Sequence, residues 1–143
     1  MSRGDVLEGG LEQAAQRAGL SRPWALLSSV ELESGEVHHL PMLDFACPKS
    51  AANLESVVRA CEMLVQAPFV LLETCASYHL VGSKPIDART AAAFYGKAIL
   101  LGPLVDRGYI GHQLIEGRAA LRVSGAGDIP APALCYSSLH DPI

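Results

Sequence analysis

Residues 69–82 constrain the fold of this chain more than any other stretch. Phe69-Val70-Leu71-Leu72 is a continuous apolar run, which is typical of a short strand buried on both faces. Small polar residues interrupt the run, and residues 78–81 are expected to form the strand that returns. Because side chains alternate along a strand, Ser77 and His79 leave the same face. The sequence therefore predicts a strand pair with a hydroxyl and an imidazole beside its turn.

Several roles are open to Ser77 and His79. A neighbouring hydroxyl and imidazole can hold a phosphate oxygen, orient a water molecule or support a metal ion. The same two residues can also be a satisfied polar pair at the end of a hairpin. Cys75 lies in the same turn, and it would act as a nucleophile if His79 lowered its pKa.

Hydrophobic periodicity indicates the remaining elements. Two strands come first, with Pro41 expected at an edge or a bulge of the second. A helix capped by Ser50, the central strand pair, a helix capped by Asp87, a short helix ended by Gly117 and a last strand follow. In chain order we expect them at residues 24–33, 37–45, 50–65, 69–72, 78–81, 87–101, 106–116 and 119–123. In the short helix, Ile110 and Leu114 are expected to face inward.

This order predicts the α+β class, a mainly antiparallel sheet with helices packed on one face and the other face open. The chain has 143 residues, which fits a single domain. We expect a marginal helix or mobile N-terminus at residues 1–22 and the α+β domain at residues 23–124. Residues 125–143 are expected to be a Gly/Pro-rich tail with at most a short edge strand at residues 133–137.

Composition limits the function classes. The net charge of -4 gives no broad electrostatic footprint for nucleic acid, so such a role needs a local basic patch. The N-terminus does not resemble a signal peptide and no apolar run is long enough to cross a bilayer, so a cytoplasmic protein is expected. The cysteines show no metal-binding spacing and are expected to be small buried hydrophobes. They are Cys47, Cys61, Cys75 and Cys135.

Short motifs occur in order along the chain. They are Met42-Leu43-Asp44-Phe45-Ala46-Cys47-Pro48, Ser-Tyr-His-Leu-Val-Gly at residues 77–82, Asp-Arg-Gly-Tyr-Ile-Gly-His-Gln-Leu at residues 106–114, and Leu-Arg-Val-Ser at residues 121–124. Together they resemble the primase-like proteins of the primase-polymerase superfamily, a small bacterial group related to the archaeo-eukaryotic primases.

The resemblance implies a nucleotidyl-transfer site with incomplete carboxylates. In such polymerases two carboxylates one residue apart, and a third on a later strand, hold two magnesium ions, while a Ser-x-His motif contacts the triphosphate. Only Asp44 matches here, and Ala46 stands at its partner position. Arg122 and Ser124 stand where the third carboxylate is wanted, and an arginine repels metal ions. The resemblance thus implies a primase-like domain that has lost polymerase activity, and any other enzymatic activity is left open.

The first hypothesis is that the domain binds a nucleotide, another phosphate-bearing ligand or a nucleic-acid end. Ser77 and His79 would contact phosphate oxygens, and Arg107 and Arg122 would grip phosphate with two nitrogens. Asp44 would hold a single Mg²⁺ or Mn²⁺ ion at most.

Each of these residues also has an ordinary structural role. Asp44 is equally a helix cap, Arg107 an ion-pair partner of Asp106, and Arg122 a residue on a solvated strand face. His112 is expected to be a packed core residue.

Two further classes stay open. The chain could be a structural module that forms a homo-oligomer or binds a protein partner through its open sheet face. It could also be a metal-dependent hydrolase using Asp44, His79 and His112, or a thiol enzyme using Cys75 and His79.

Overall fold

The computed structural model describes residues 23–140, so the predictions for residues 1–22 and for the last three residues lie outside the described part. The α+β class is confirmed. The chain forms β1 (Ala25–Leu27), β2 (Ser29–Glu31), β3 (Val37–His39), β4 (Met42–Asp44), α1 (Ala51–Leu64), β5 (Phe69–Glu73), β6 (Tyr78–Gly82), α2 (Ala88–Ile99), α3 (Arg107–Glu116), β7 (Ala120–Arg122) and β8 (Ala133–Ser137). Short 3₁₀ turns at Gly102–Leu104 and Ser138–His140 complete the description.

All strand pairs are antiparallel. The main sheet has four strands in the order β4-β6-β5-β8, while β1 pairs with β7 and β2 pairs with β3. The central strand β6 is buried along its whole length. The predicted strand pair of residues 69–82 is therefore confirmed, and it lies at the centre of the main sheet because its apolar residues are buried on both faces.

The first predicted strand is in fact two strands. Residues 24–33 bend at Ser28, which is 1% exposed. The Ser28 backbone N–H donates to the carbonyl oxygen of Ala119, 2.9 Å away, and its hydroxyl accepts from the Ala119 N–H at 2.8 Å. These two bonds fix the bend, so β1 pairs with β7 while β2 turns towards β3.

The second predicted strand is also divided, at Pro41. Proline has no N–H for a ladder, so β3 and β4 belong to different sheets. The Pro41 carbonyl accepts from the Gly82 N–H at 2.7 Å. A Cβ at Gly82 would come within 2.9 Å of the Pro41 ring, so glycine is required for this close approach.

The helices begin and end largely where the sequence predicts. Ser50 caps α1 by accepting from the Asn53 N–H, and Asp87 caps α2 by accepting from the Thr90 N–H. Gly117 ends α3 in the left-handed region, with φ of 72°. One expectation for α3 is wrong: Ile110 is fully buried, but Leu114 is 46% exposed.

The segment after β7 contributes to the main sheet. The short edge strand expected at residues 133–137 is present as β8, which pairs with β5 and carries an irregularity opposite Leu71 and Leu72. Such a bulge twists an edge strand and disrupts its ladder locally. Within residues 23–140, no helix combines the length and apolar character needed to cross a membrane.

Candidate functional site

Strand register places Asp44 beside His79. In the pairing of β4 with β6, Asp44 lies directly opposite His79. Residues opposite each other in an antiparallel pair share a face, with Cβ atoms about 5 Å apart. His79 Nε2 accordingly lies 3.4 Å from Asp44 Oδ1. The alternative of Asp44 as the cap of α1 is wrong, because Ser50 occupies that position.

A polar cleft of about 530 Å³ opens beside this pair. The loop between β5 and β6 forms one wall, β7 forms another, and the start of α3 closes the end. We call this depression the polar cleft. Four of the five candidate site residues predicted from the sequence line it. Those four residues are Asp44, Ser77, His79 and Arg122.

His79 is a neutral, buried imidazole. Burial, followed by the positive charge of Arg122, lowers its pKa to about 4. The residue is 8% exposed, and its Nδ1 atom is buried with no hydrogen-bond partner among the described residues. A buried polar atom without a partner costs about 1–3 kcal/mol. Such atoms are rare in folded proteins, so the unpaired Nδ1 is an unusual feature of this site.

The Asp44 carboxyl group titrates at mildly acidic pH. Burial, followed by the negative charge of Asp106, raises its pKa to about 6. Asp106 is held nearby because its backbone N–H donates to the Asp44 carbonyl at 2.9 Å. A proton therefore binds Asp44 at mildly acidic pH, unlike an ordinary surface aspartate.

Arg122 brings the positive charge of the polar cleft. Its Nη1 donates to the carbonyl oxygens of Ser124 and of Pro130. These bonds hold the guanidinium in place, and among the described residues no hydrogen bond engages its Nε or Nη2 donors. Arg122 is half-buried, which differs from the solvated strand face weighed as an alternative.

Ser77 is held by its neighbours. Its hydroxyl donates to the Cys47 carbonyl oxygen at 2.6 Å, and its backbone N–H donates to Thr74 Oγ1 at 2.9 Å. A hydroxyl has a single hydrogen to donate. Donation to a phosphate oxygen would break the bond to Cys47, so Ser77 is better suited to fixing the loop than to gripping the ligand.

Replacing Ser77 by Ala is expected to lower the free energy of unfolding by about 1–3 kcal/mol, because the buried Cys47 carbonyl loses its donor. Urea unfolding followed by circular dichroism measures the effect. Ser56→Ala is the matched control, since the Ser56 hydroxyl bonds to its own exposed helix turn, and it should change stability by less than about 0.5 kcal/mol. Equal effects of the two substitutions would contradict a structural role for Ser77.

Arg107 lies outside the polar cleft. It is exposed at the first turn of α3, in an adjoining depression that shares Ala46 and Asp106 with the cleft. Within the described residues it forms no ion pair with Asp106, whose side chain instead caps α3 by accepting from the Tyr109 N–H at 3.0 Å. The ion-pair alternative for Arg107 is therefore wrong.

Of the other sequence predictions near the polar cleft, some are right and some are wrong. His112 is exposed, so its expected place in the core is wrong. Cys75 lines the cleft as an exposed thiol, and Cys135 is also exposed, whereas Cys47 and Cys61 are buried as expected.

Thr74 and Tyr109 line the polar cleft and were not singled out from the sequence as binding residues. Tyr109 Oη is buried and has no hydrogen-bond partner among residues 23–140. Its pKa is raised, chiefly by burial. The sequence signal for Tyr109 is its place in the motif at residues 106–114, three residues after the cap Asp106, whereas Thr74 has none.

The donors of the polar cleft fit a two-metal centre poorly. Asp44 and Asp106 are its carboxylates, and the Arg122 guanidinium shares the space. Among the described residues, no three His, Cys, Asp or Glu side chains are arranged to hold a metal ion. A polymerase centre needs several oxygen ligands around each of two cations.

Comparison with protein-family models gives one match. The model described as archaeo-eukaryotic primase 1D-like matches residues 5–129, which is most of the chain. No curated protein and no solved structure matches the chain.

Proposed function

We propose that this chain, which belongs to the archaeo-eukaryotic primase 1D-like family, binds the phosphate group of a nucleotide or nucleic-acid end in its polar cleft without nucleotidyl transfer. The observation that carries the proposal is the gathering of His79 and Arg122 around one cleft, with His79 Nδ1 lacking a partner among the described residues. The incomplete carboxylate set, with Ala46 at the cleft wall, argues against polymerase chemistry.

Arg122 supplies the charge for phosphate. Its Nε and Nη2 groups can donate two parallel hydrogen bonds to one phosphate, and the carbonyl partners of Nη1 hold the guanidinium in place. The Tyr109 hydroxyl is a further donor at the cleft. A pre-oriented guanidinium loses less conformational entropy on binding than a mobile one.

The contact of His79 with phosphate couples phosphate binding to the uptake of a proton. A neutral imidazole donates from one nitrogen and accepts at the other. Donation from His79 Nδ1 to phosphate makes Nε2 an acceptor, and Asp44 must then carry the proton that Nε2 accepts. Because the pKa of Asp44 is about 6, binding at neutral pH takes up a proton.

The binding test is isothermal titration calorimetry with ATP, pyrophosphate and a 5′-phosphorylated oligonucleotide, with and without Mg²⁺. A ligand at a hundredfold excess over its dissociation constant should also stabilise the fold by about 2.7 kcal/mol, a melting shift of several degrees. Titrations in buffers of different ionisation enthalpy measure the proton taken up.

Arg122→Lys and Arg122→Gln are expected to weaken binding by about tenfold or more, because Lys keeps the charge but not the paired donors. Arg118→Gln is the matched control, since Arg118 is exposed and does not line the polar cleft. Melting curves without ligand identify any loss of stability in the Arg122 variants.

The absence of any heat or melting shift with all three ligands would contradict the proposal. The interaction module would then be the better hypothesis. Its surface would be β8, where Ala133, Leu134 and Cys135 are exposed, since β6 presents no open face.

A further inference from the structure

One face of the β1–β7 strand pair is apolar apart from Arg122. Side chains alternate along a strand, so Ala120 and Arg122 leave the same face of β7, whereas Leu121 between them is buried in the core. In the pairing with β1, Ala25 lies opposite Arg122 and Leu27 lies opposite Ala120. Residues directly opposite each other share a face. Arg122 is therefore the charged member of a four-residue face whose other three residues are apolar and exposed.

Arg122 holds a hairpin of residues 124–130 beside this face, and we call it the arginine-bound hairpin. The Nη1 group of Arg122 donates to the carbonyl oxygens of Ser124 and of Pro130, the second at 3.3 Å. These two carbonyl groups lie on opposite arms of the hairpin, so the guanidinium joins the arms. Ile129 directly precedes Pro130 in the chain. The bond to Pro130 therefore keeps Ile129 close to the guanidinium of Arg122.

The backbone of Ile129 is fixed, but much of the residue is open to solvent. Its N–H donates to the Ala126 carbonyl oxygen at 3.0 Å, and its carbonyl oxygen accepts from the Ala126 N–H at 2.9 Å. Gly127 has a φ of 58°, the left-handed region that a tight two-residue hairpin turn requires at its first central position. Ile129 lines the polar cleft and is 47% exposed. It therefore offers the cleft an apolar surface that a ligand can bury.

The apolar residues and the phosphate donors share one cleft. Ala120 and Ile129 line it together with Arg122 and with His79, whose Nδ1 is buried without a partner among the described residues. The volume of about 530 Å³ is within the range of sites for whole small molecules, about 300–1,000 Å³. A phosphate at Arg122 would therefore leave room for the group attached to it, and that group would meet Ala120 and Ile129. Since alanine projects a single methyl group, a flat group fits over it.

We propose that the polar cleft binds a nucleoside 5′-phosphate as a whole, with the phosphate at Arg122 and one face of the nucleobase packed against Ile129 and Ala120. This inference rests on the proposed phosphate site, and it makes Ile129 the residue that distinguishes a nucleotide from other phosphates. A nucleobase is flat, so it can bury one face against an aliphatic side chain. Pyrophosphate and sugar phosphates have no such face. Because every base has a flat face, the contact tolerates all bases.

Calorimetric titration of the full chain with AMP, ribose 5-phosphate and pyrophosphate tests the contact with the base. AMP differs from ribose 5-phosphate by its base, and it should bind about tenfold or more tightly because the base buries apolar surface. The monophosphates of guanosine, cytidine and uridine should bind about as tightly as AMP. Equal affinities for AMP and ribose 5-phosphate, or binding of pyrophosphate alone, would overturn the base contact and leave the phosphate site in place. No binding of any ligand would overturn both.

Substitutions of Ile129 locate the base contact. Ile129→Ala should weaken AMP binding about fivefold or more and leave ribose 5-phosphate binding unchanged, since it removes apolar surface but keeps the backbone bonds of the turn. Ile129→Tyr should strengthen AMP binding, because an aromatic ring stacks on a base. Ile115→Ala is the matched control, since Ile115 is 85% exposed on α3 and does not line the polar cleft. Equal effects of Ile129→Ala on AMP and on ribose 5-phosphate would overturn the assignment of Ile129.

A free nucleotide and the 5′ end of a nucleic-acid strand present the same phosphate and base. A 5′-phosphorylated dinucleotide of adenosine distinguishes them: tighter binding than AMP would identify the strand end as the ligand, and equal or weaker binding would identify the free nucleotide. In either case Ile129→Ala should weaken binding, because the first base occupies the same place. Unchanged affinity of Ile129→Ala for both AMP and the dinucleotide would contradict the proposal.

Discussion

Replacing Leu80 by Ala is expected to lower the free energy of unfolding by about 2–5 kcal/mol, a large part of the stability of a domain this size. Leu80 lies at the middle of β6, opposite Leu43 on one side and Leu71 on the other. All three leucines are fully buried. Removing the side chain leaves a cavity at the centre of the sheet, next to the strand position of His79, and urea unfolding measures the loss.

Two further substitutions make the test of Leu80 specific. Leu80→Met keeps the volume and should cost less than about 1.5 kcal/mol. Leu134→Ala, on β8 and 56% exposed, should change stability by less than about 0.5 kcal/mol. If Leu80→Ala costs no more than Leu134→Ala, β6 is not the central strand of the core.

Replacing Asp44 by Asn is expected to stabilise the protein at pH 8 by about 2 kcal/mol, and to have no effect at pH 3. The pKa of Asp44 rises from 3.8 to about 6 on folding. The folded protein therefore binds a proton more tightly here than the unfolded chain does. Below pH 3.8 the Asp44 carboxyl group does not lower the free energy of unfolding. Its destabilising contribution grows as the pH rises from 3.8 to about 6, and above that pH it stays at its full value.

His79 contributes with the opposite sign. Its pKa falls from 6.5 to about 4 on folding, so its contribution to stability is fully present above pH 6.5 and is lost as the pH falls through 4. In the native protein the two contributions offset each other over the same pH range. Because His79 is present in both proteins, the difference between Asp44→Asn and the native protein reports the Asp44 carboxyl group together with its 3.4 Å contact to His79 Nε2.

Urea unfolding at intervals between pH 3 and pH 8 measures this difference. Asp128→Asn is the matched control, because Asp128 is exposed, and the substitution should change stability by less than about 0.5 kcal/mol. A native protein more stable than Asp44→Asn at pH 8 would mean that the carboxylate is stabilised by a partner, such as a bound cation.

The same substitution separates direct phosphate binding from metal-bridged binding. An asparagine amide can donate to His79 Nε2 without taking up a proton, so Asp44→Asn should strengthen pyrophosphate binding at pH 7.5 and flatten its pH dependence. If Mg²⁺ bound to Asp44 instead bridged the ligand, the substitution would weaken binding and remove its Mg²⁺ dependence.

Local sequence determined the parts of the fold that depend on near neighbours. The apolar run at residues 69–72 and its return strand predicted the central pair, since buried strands need apolar residues on both faces. Ser50, Asp87 and Gly117 predicted helix ends because caps act within one turn of the backbone. The motifs around Asp44 and His79 also identified the family, which the match over residues 5–129 confirms.

Long-range pairing decided what the sequence did not predict. The bend at Ser28 depends on Ala119, and the division at Pro41 depends on Gly82, so neither is visible in a local pattern. Contacts between residues far apart in the chain also decide which residues line the polar cleft. Asp44 meets His79 through strand register and meets Asp106 through a backbone bond, whereas Arg107 is directed to the adjoining depression.

The sequence by itself thus determined the class of the fold, the central strand pair and the residue types available for a phosphate site. The tertiary structure decided which of these residues meet and in what chemical state. Burial and neighbouring charges set the pKa values of Asp44 and His79, and a bond to Cys47 engages the Ser77 hydroxyl. The physical reason is that solvation and electrostatic interactions depend on distances between residues far apart in the chain.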